Sequence, residues 1–217
     1  VMCALIGAVI GGRALYVATN WAYFAGRRAE IVTVWKGGMA FHGAFVGGLL
    51  ALALYALLAR RPGWNLGDAA ALGLALGGVF GWAACFAAGC AYGIVGEGLL
   101  FSFSPDIYGI EASRLAVQLL GVGLSAVTLI ILLLLVRMKA RPGLLLAVYL
   151  WLYFAGHFFL EFGRGDESLM LGPLRLAQAL DALLALGGLG LTLFLQRRPP
   201  AQSAELAPAE AEGEAPA

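Results

Sequence analysis

Six stretches of this chain stay apolar over about 20 residues apiece, the length needed to cross the hydrocarbon core of a bilayer. Backbone hydrogen bonds in lipid must be satisfied within each segment, so such runs predict membrane-spanning α-helices. They cover residues 2–24 (helix A), 39–58 (B), 66–92 (C), 114–136 (D), 144–162 (E) and 176–195 (F). Charges or turn formers break them at Arg27 and Arg28, at Arg60, Arg61 and Pro62, at Ser104, Pro105 and Asp106, at Arg141 and Pro142, and at Gly165, Asp166 and Glu167. The fold class is therefore all-α, a polytopic transmembrane helical bundle of about six spans over residues 1–198. Residues 199–217 are rich in Pro, Ala and Glu, with four acids and no base, a composition that predicts a disordered tail.

Charged residues make up only 12% of the chain, against about 25% in soluble domains, too few to cover a water-facing surface. The 31 glycines suit close packing of helix backbones in lipid. A net charge of +1 with no basic cluster argues against a nucleic-acid partner. No basic leader with a small-residue cleavage site is read at the start. No repeat of 20–50 residues is visible, so an inverted-repeat transporter is not expected. Cys3, Cys85 and Cys90 all lie in apolar runs and read as packing residues. On one continuous helix, Cys85 and Cys90 would point to different faces, a poor placement for a disulfide.

Basic residues in short loops set orientation. The B–C and D–E loops and the segment after F carry seven (Arg60, Arg61, Arg137, Lys139, Arg141, Arg197, Arg198), against five on the other side. The A–B, C–D and E–F loops are therefore expected outside. An ionisable side chain at mid-bilayer costs about 2.5–3.5 kcal/mol by insertion scales, so each one needs a reason. Arg13, Tyr16 and Asn20 share a face of helix A, and His42 opens helix B. Arg114 and Gln118 open helix D. Tyr153, His157, Glu161 and Arg164 form a stripe at the end of helix E, and Gln178 and Asp181 open helix F. His42, Arg114, Gln118, His157, Glu161, Arg164, Gln178 and Asp181 fall in the outer half of the membrane, Arg13 lies near mid-depth, and Asp68 is the main exception on the inner side.

Each of these residues alone has a structural alternative. Arg13 could snorkel, His42 could satisfy a backbone group between close-packed helices, Glu161 with Arg164 could close a helix, and Arg114, Gln178 and Asp181 could be helix-start groups. Together they predict a polar cavity open to one leaflet and suited to a phospholipid headgroup, because arginine binds phosphate bidentately.

The sequence also resembles the prolipoprotein diacylglyceryl transferase family. Gly11-Gly12-Arg13-Ala14-Leu15-Tyr16-Val17 followed by Asn20 is similar to the family's first motif. Trp35-Lys36-Gly37-Gly38-Met39-Ala40-Phe41-His42-Gly43 is similar to its Trp-x-Gly-Gly-Met-Ser-Phe-His-Gly, and Tyr153 to Arg164 resembles its Tyr…Glu-x-x-Arg segment. The resemblance implies a seven-helix enzyme of the bacterial inner membrane, with one helix before helix A that is not in this sequence. It implies transfer of a diacylglyceryl group from phosphatidylglycerol to the lipobox cysteine thiol of a prolipoprotein signal peptide, with no cofactor and no metal. By that resemblance His42 is the candidate base or headgroup donor, Arg13 and Arg164 hold phosphate, and Glu161 orients an arginine. Tyr16 and Asn20 line the lipid site, with His157 and Gln178 at further matching positions, and the polar stripe adds Arg114 as a binding candidate. Four positions depart from the pattern. Trp82, Cys85 and Cys90 stand where the family has Arg, Asn and Glu, and His157 replaces an Arg. These departures leave a second reading open, a phospholipid-binding membrane protein of the same fold without catalysis.

Overall fold

The computed structural model describes residues 2–197. Six of its helices are long and apolar enough to cross a membrane: α1 (Met2–Thr19), α3 (Phe41–Leu58), α4 (Gly63–Ala88), α5 (Val117–Arg137), α6 (Leu144–Leu160) and α7 (Leu176–Arg197). A four-residue helix, α2 (Trp21–Phe24), follows α1. The tail expected to be disordered lies outside the described residues.

Lipid supplies no hydrophobic drive between spans, so contact depends on how closely backbones approach. In α1 and α3 the glycines meet face to face. A Cβ added at Gly11 would lie 2.3 Å from the Gly43 carbonyl oxygen, and one at Gly47 would lie 2.3 Å from that of Gly7. At the α6–α7 contact, a Cβ on Gly188 would lie 2.5 Å from the Trp151 amide nitrogen. Larger side chains fill the centre of the bundle. Phe45, Tyr149, Tyr153 and Phe154 pack with Ala71, Ala75 and Leu132, and the rings of Tyr149 and Tyr153 stack 5.2 Å apart. On α4, Trp82 packs against α5 at Gly121, the absent side chain making room for the indole. Asp68, the inner-half exception, accepts the Gly143 and Leu146 amides at 2.7 and 3.0 Å and so caps α6 from a neighbouring helix.

Several expected boundaries are corrected. Helix A does not run to Phe24: the chain breaks after Thr19, and Asn20 turns its amide back onto the Tyr16 carbonyl at 2.9 Å. Arg114 does not open a helix. It sits on strand β2 (Glu111–Leu115), paired antiparallel with β1 (Phe101–Pro105) in a hairpin whose turn uses Gly109 at positive φ. The alternation of Phe and Ser at Phe101-Ser102-Phe103-Ser104 carries the period-2 signal for β1. Helix α6 ends at Leu160, and Glu161–Gly163 form one 3-10 turn. Strands β3 (Met170–Leu171) and β4 (Leu174–Arg175) make a second small hairpin.

The largest correction concerns the cysteines. Cys85 and Cys90 form a disulfide with Cα atoms 4.7 Å apart. The helix ends at Ala88 because Gly89 takes the left-handed conformation at φ +68°, which folds Cys90 back over the last turn. The Cys90 amide then donates to the Cys85 carbonyl at 3.0 Å. With so short a loop, the chain-entropy model gives the bridge about 2 kcal/mol. Converting both cysteines to serine is expected to lower the thermal unfolding midpoint to match. Without reductant, a maleimide should label only the exposed Cys3. Labelling of all three thiols in the untreated protein would disprove the bridge.

Candidate functional site

The polar groups gather at one end of the bundle, where α1 and α6 finish and α3 and α7 begin. The approach to α3 is built first. Gly37 and Gly38 both have positive φ, and a Cβ on Gly38 would lie 2.5 Å from the Tyr16 ring. Arg13 reaches out of α1 and clasps this loop. Its Nε donates to Ile31 O at 2.8 Å, Nη1 to Gly37 O and Gly38 O at 2.7 and 2.8 Å, and Nη2 to Glu30 O at 2.6 Å. Four backbone carbonyls thus occupy the guanidinium, and it rests against the rings of Tyr16 and Phe24. Lysine has three donors on a single nitrogen and cannot span both sides of this loop. Arg13→Lys should therefore expose residues 27–38 to limited proteolysis, with wild-type cleavage kinetics as the disproving result.

With the loop held, His42 enters the first turn of α3 and faces α7. Its Nε2 lies 2.7 Å from Asp181 Oδ1, and His157 Nδ1 from α6 lies 2.7 Å from Asp181 Oδ2. One fully buried carboxylate therefore joins two buried imidazoles from three spans. Aromatic rings fix the imidazole planes. Phe41 and Phe154 lie against His42, and Tyr153 and Trp82 lie against His157, the indole at 5.7 Å. The Trp82 indole nitrogen donates to the Tyr153 hydroxyl at 3.2 Å. Trp82 and His157, two of the positions that depart from the family pattern, touch each other.

Next to His157 lies an ion cluster. Arg164 pairs with Glu161 and with Asp166, and Arg175 Nη1 approaches Asp166 and Glu161 at 3.4 and 3.8 Å. Burial works against the Arg164 charge. The hydrogen bond with Asp166 and the charges of Glu161 and Asp166 outweigh it and hold the pKa above the ordinary arginine value. Glu161 is buried, and its Oε1 stands 3.8 Å from His157 Nε2. Gln178 serves the same corner, its side-chain oxygen accepting the Arg175 amide at 2.9 Å.

Not every candidate side chain joins the centre. Arg114 donates to Asp106 at 2.9 Å within the hairpin and packs over Tyr92. Gln118 donates to Cys90 O at 3.0 Å beneath the disulfide. Asn20 is exposed and engaged with Tyr16 and Thr19. Asp181 is the central acceptor. Sequence alone places it on the polar stripe but assigns it no role, because its partners come from helices 24 and 139 residues away.

The expected polar cavity takes a different form. The charged groups face one another, and the space beside them is an apolar groove of about 470 Å³ between α1, α3 and α7. Gly11, Leu15, Gly47, Val46, Leu183 and Leu184 are among its walls, and His42 is its polar lining residue. Such a groove fits an acyl chain, with the His42–Asp181 pair at its polar end.

Residues 1–194 match the family model described as prolipoprotein diacylglyceryl transferase. Among similar proteins, the phosphatidylglycerol–prolipoprotein diacylglyceryl transferase of Thermosynechococcus vestitus is 34% identical over 90% of this chain and 76% of its own length. The protein of that name from Symbiobacterium thermophilum is 33% identical over 90% and 75%. The one from Clostridioides difficile is 31% identical over 88% and 74%.

Proposed function

This chain belongs to the prolipoprotein diacylglyceryl transferase family, and from that premise we propose that it transfers a diacylglyceryl group from phosphatidylglycerol to a prolipoprotein. The acceptor is the thiol of a lipobox cysteine. The setting is the bacterial inner membrane, with the His42 end of the bundle toward the outer leaflet.

The observation that carries this reading is His42, hydrogen-bonded to buried Asp181 at the head of an apolar groove. The reaction makes a thioether. The attacking species is the thiolate, so a base must take the thiol proton. His42 takes it, and Asp181 steadies the resulting imidazolium, as a carboxylate does for a catalytic histidine. The sulfur then attacks the glyceryl carbon that carries the phosphate ester. The carbon–sulfur bond forms as the carbon–oxygen bond breaks, and glycerol phosphate departs with the electron pair.

The leaving phosphate gains negative charge and needs fixed cations. Arg164 and Arg175 are the candidates. Together they are balanced by Glu161 and Asp166, and their side chains remain 21% and 16% exposed. Glu161 orients Arg164, and Gln178 holds the turn that carries Arg175. Arg13 is assigned to the loop before His42 rather than to phosphate, because backbone carbonyls occupy four of its five donors. Tyr16 packs under that loop.

The test is transfer from labelled phosphatidylglycerol to a cysteine-containing lipobox peptide, using membranes that hold the intact protein. Label should move to the cysteine peptide and not to its serine counterpart. Absence of transfer, with protein present and folded, would leave only lipid binding and overturn the proposal.

A further inference from the structure

We infer that His42, His157 and Asp181 form a binding site for one divalent transition-metal ion of the zinc type. One nitrogen from each imidazole and one carboxylate oxygen lie within 4.8 Å of one another, and all three residues are buried. A tetrahedral ion with bonds of about 2.0–2.1 Å sets its ligands roughly 3.4 Å apart. His42 Nε2 lies 2.7 Å from Asp181 Oδ1 and His157 Nδ1 lies 2.7 Å from Oδ2, and with one oxygen chosen the three ligand atoms stay within 4.8 Å, so the separations bracket that value.

Charge gives the second line of argument. Asp181 is fully buried, and among the described residues its ionic partners are the two histidines. Arg164 and Arg175 pair with Glu161 and Asp166 instead. A buried carboxylate without a fixed cation is costly, and a divalent ion would supply the missing charge. The donor set selects the ion. Imidazole nitrogens favour zinc, copper, iron or nickel, whereas calcium and magnesium require oxygen ligands.

The surroundings give a third. His157 turns Nδ1 toward Asp181 and Nε2 toward the Glu161 carboxylate, 3.8 Å away. At that distance the two do not hydrogen-bond, because the Glu161 oxygen is held by Arg164; Glu161 is the nearest carboxylate to the far side of the ring, the place an outer-shell partner takes at histidine-ligated metals. Three protein ligands leave a fourth position, as at zinc sites that exchange a ligand. Because His42 also lines the groove, the ion would sit at the proposed reacting end and compete with the proton for His42.

The experiment uses the full chain in detergent, with Cys3→Ser to remove the exposed thiol, stripped with EDTA and titrated with Zn²⁺ and separately with Co²⁺. The expected result is one ion per chain, and visible cobalt bands of tetrahedral intensity. Asp181→Asn and His157→Gln keep side-chain size. Each should weaken binding by more than the ~10–100-fold that loss of an outer-shell partner brings, with helical content and elution volume unchanged. Glu161→Gln should weaken binding by no more than that range. Stoichiometry well below one, octahedral cobalt spectra, or affinity unmoved by Asp181→Asn in a folded variant would overturn the site. These readouts are independent of lipid transfer, so the metal site and the transferase reading fail separately.

Discussion

His42→Ala is expected to lower diacylglyceryl transfer by about 10²–10⁴-fold, the usual worth of a positioned general base. The protein should still accumulate in the membrane. The variant removes the nitrogen 2.7 Å from Asp181 but leaves that carboxylate its second imidazole, His157. Asp181→Asn should act through His42, with a fall in kcat and an unchanged KM for the lipid, because Asp181 does not line the groove. Single-turnover transfer on purified variants of matched helical content checks both. A His42→Ala enzyme within tenfold of wild type would move the base elsewhere and remove the chemical reading of the site.

The second large effect is structural. Gly43→Val should abolish the close crossing of α1 and α3, and with it the recovery of monodisperse protein. A Cβ at Gly43 would sit 2.3 Å from the Gly11 carbonyl oxygen and 2.6 Å from the Leu15 Cβ. Neither backbone can yield without separating the helices, so the penalty should reach or exceed the upper part of the ~1–3 kcal/mol range for overpacking. The same crossing carries one wall of the groove and the helix start that presents His42, so activity is lost with it. Gly73→Val is the control. A side chain there meets nothing within 4 Å, and thermal stability should stay near wild type. Equal damage from both variants would show that bulk, rather than backbone approach, is at fault.

The six spans are legible in sequence because each obeys a constraint the chain cannot evade: about 20 apolar residues to satisfy the backbone in lipid. The gathering of His42, His157, Glu161, Arg164, Gln178 and Asp181 at one end is legible for a related reason. Alternating spans fix which helix ends share a side. What sequence does not reveal is pairing. Asp181 could have met either histidine or an arginine, and only the packing of α3, α6 and α7 joins it to both imidazoles. The disulfide escapes for a local reason: the separation of Cys85 and Cys90 forbids a bridge on an ideal helix, and the exception depends on Gly89 ending the helix between them. Arg13 escapes because four carbonyls compete for it, and carbonyls are invisible in composition.

Val46 and Leu183, two walls of the groove beneath His42, are exposed on helices long enough to span. A donor with two acyl tails can slide in laterally without leaving the sheet of its neighbours, and the spent product can slip back the same way. Turnover should then follow surface-dilution kinetics. Doubling an inert lipid at fixed donor should halve the initial rate in vesicles, whereas doubling the buffer volume should change nothing.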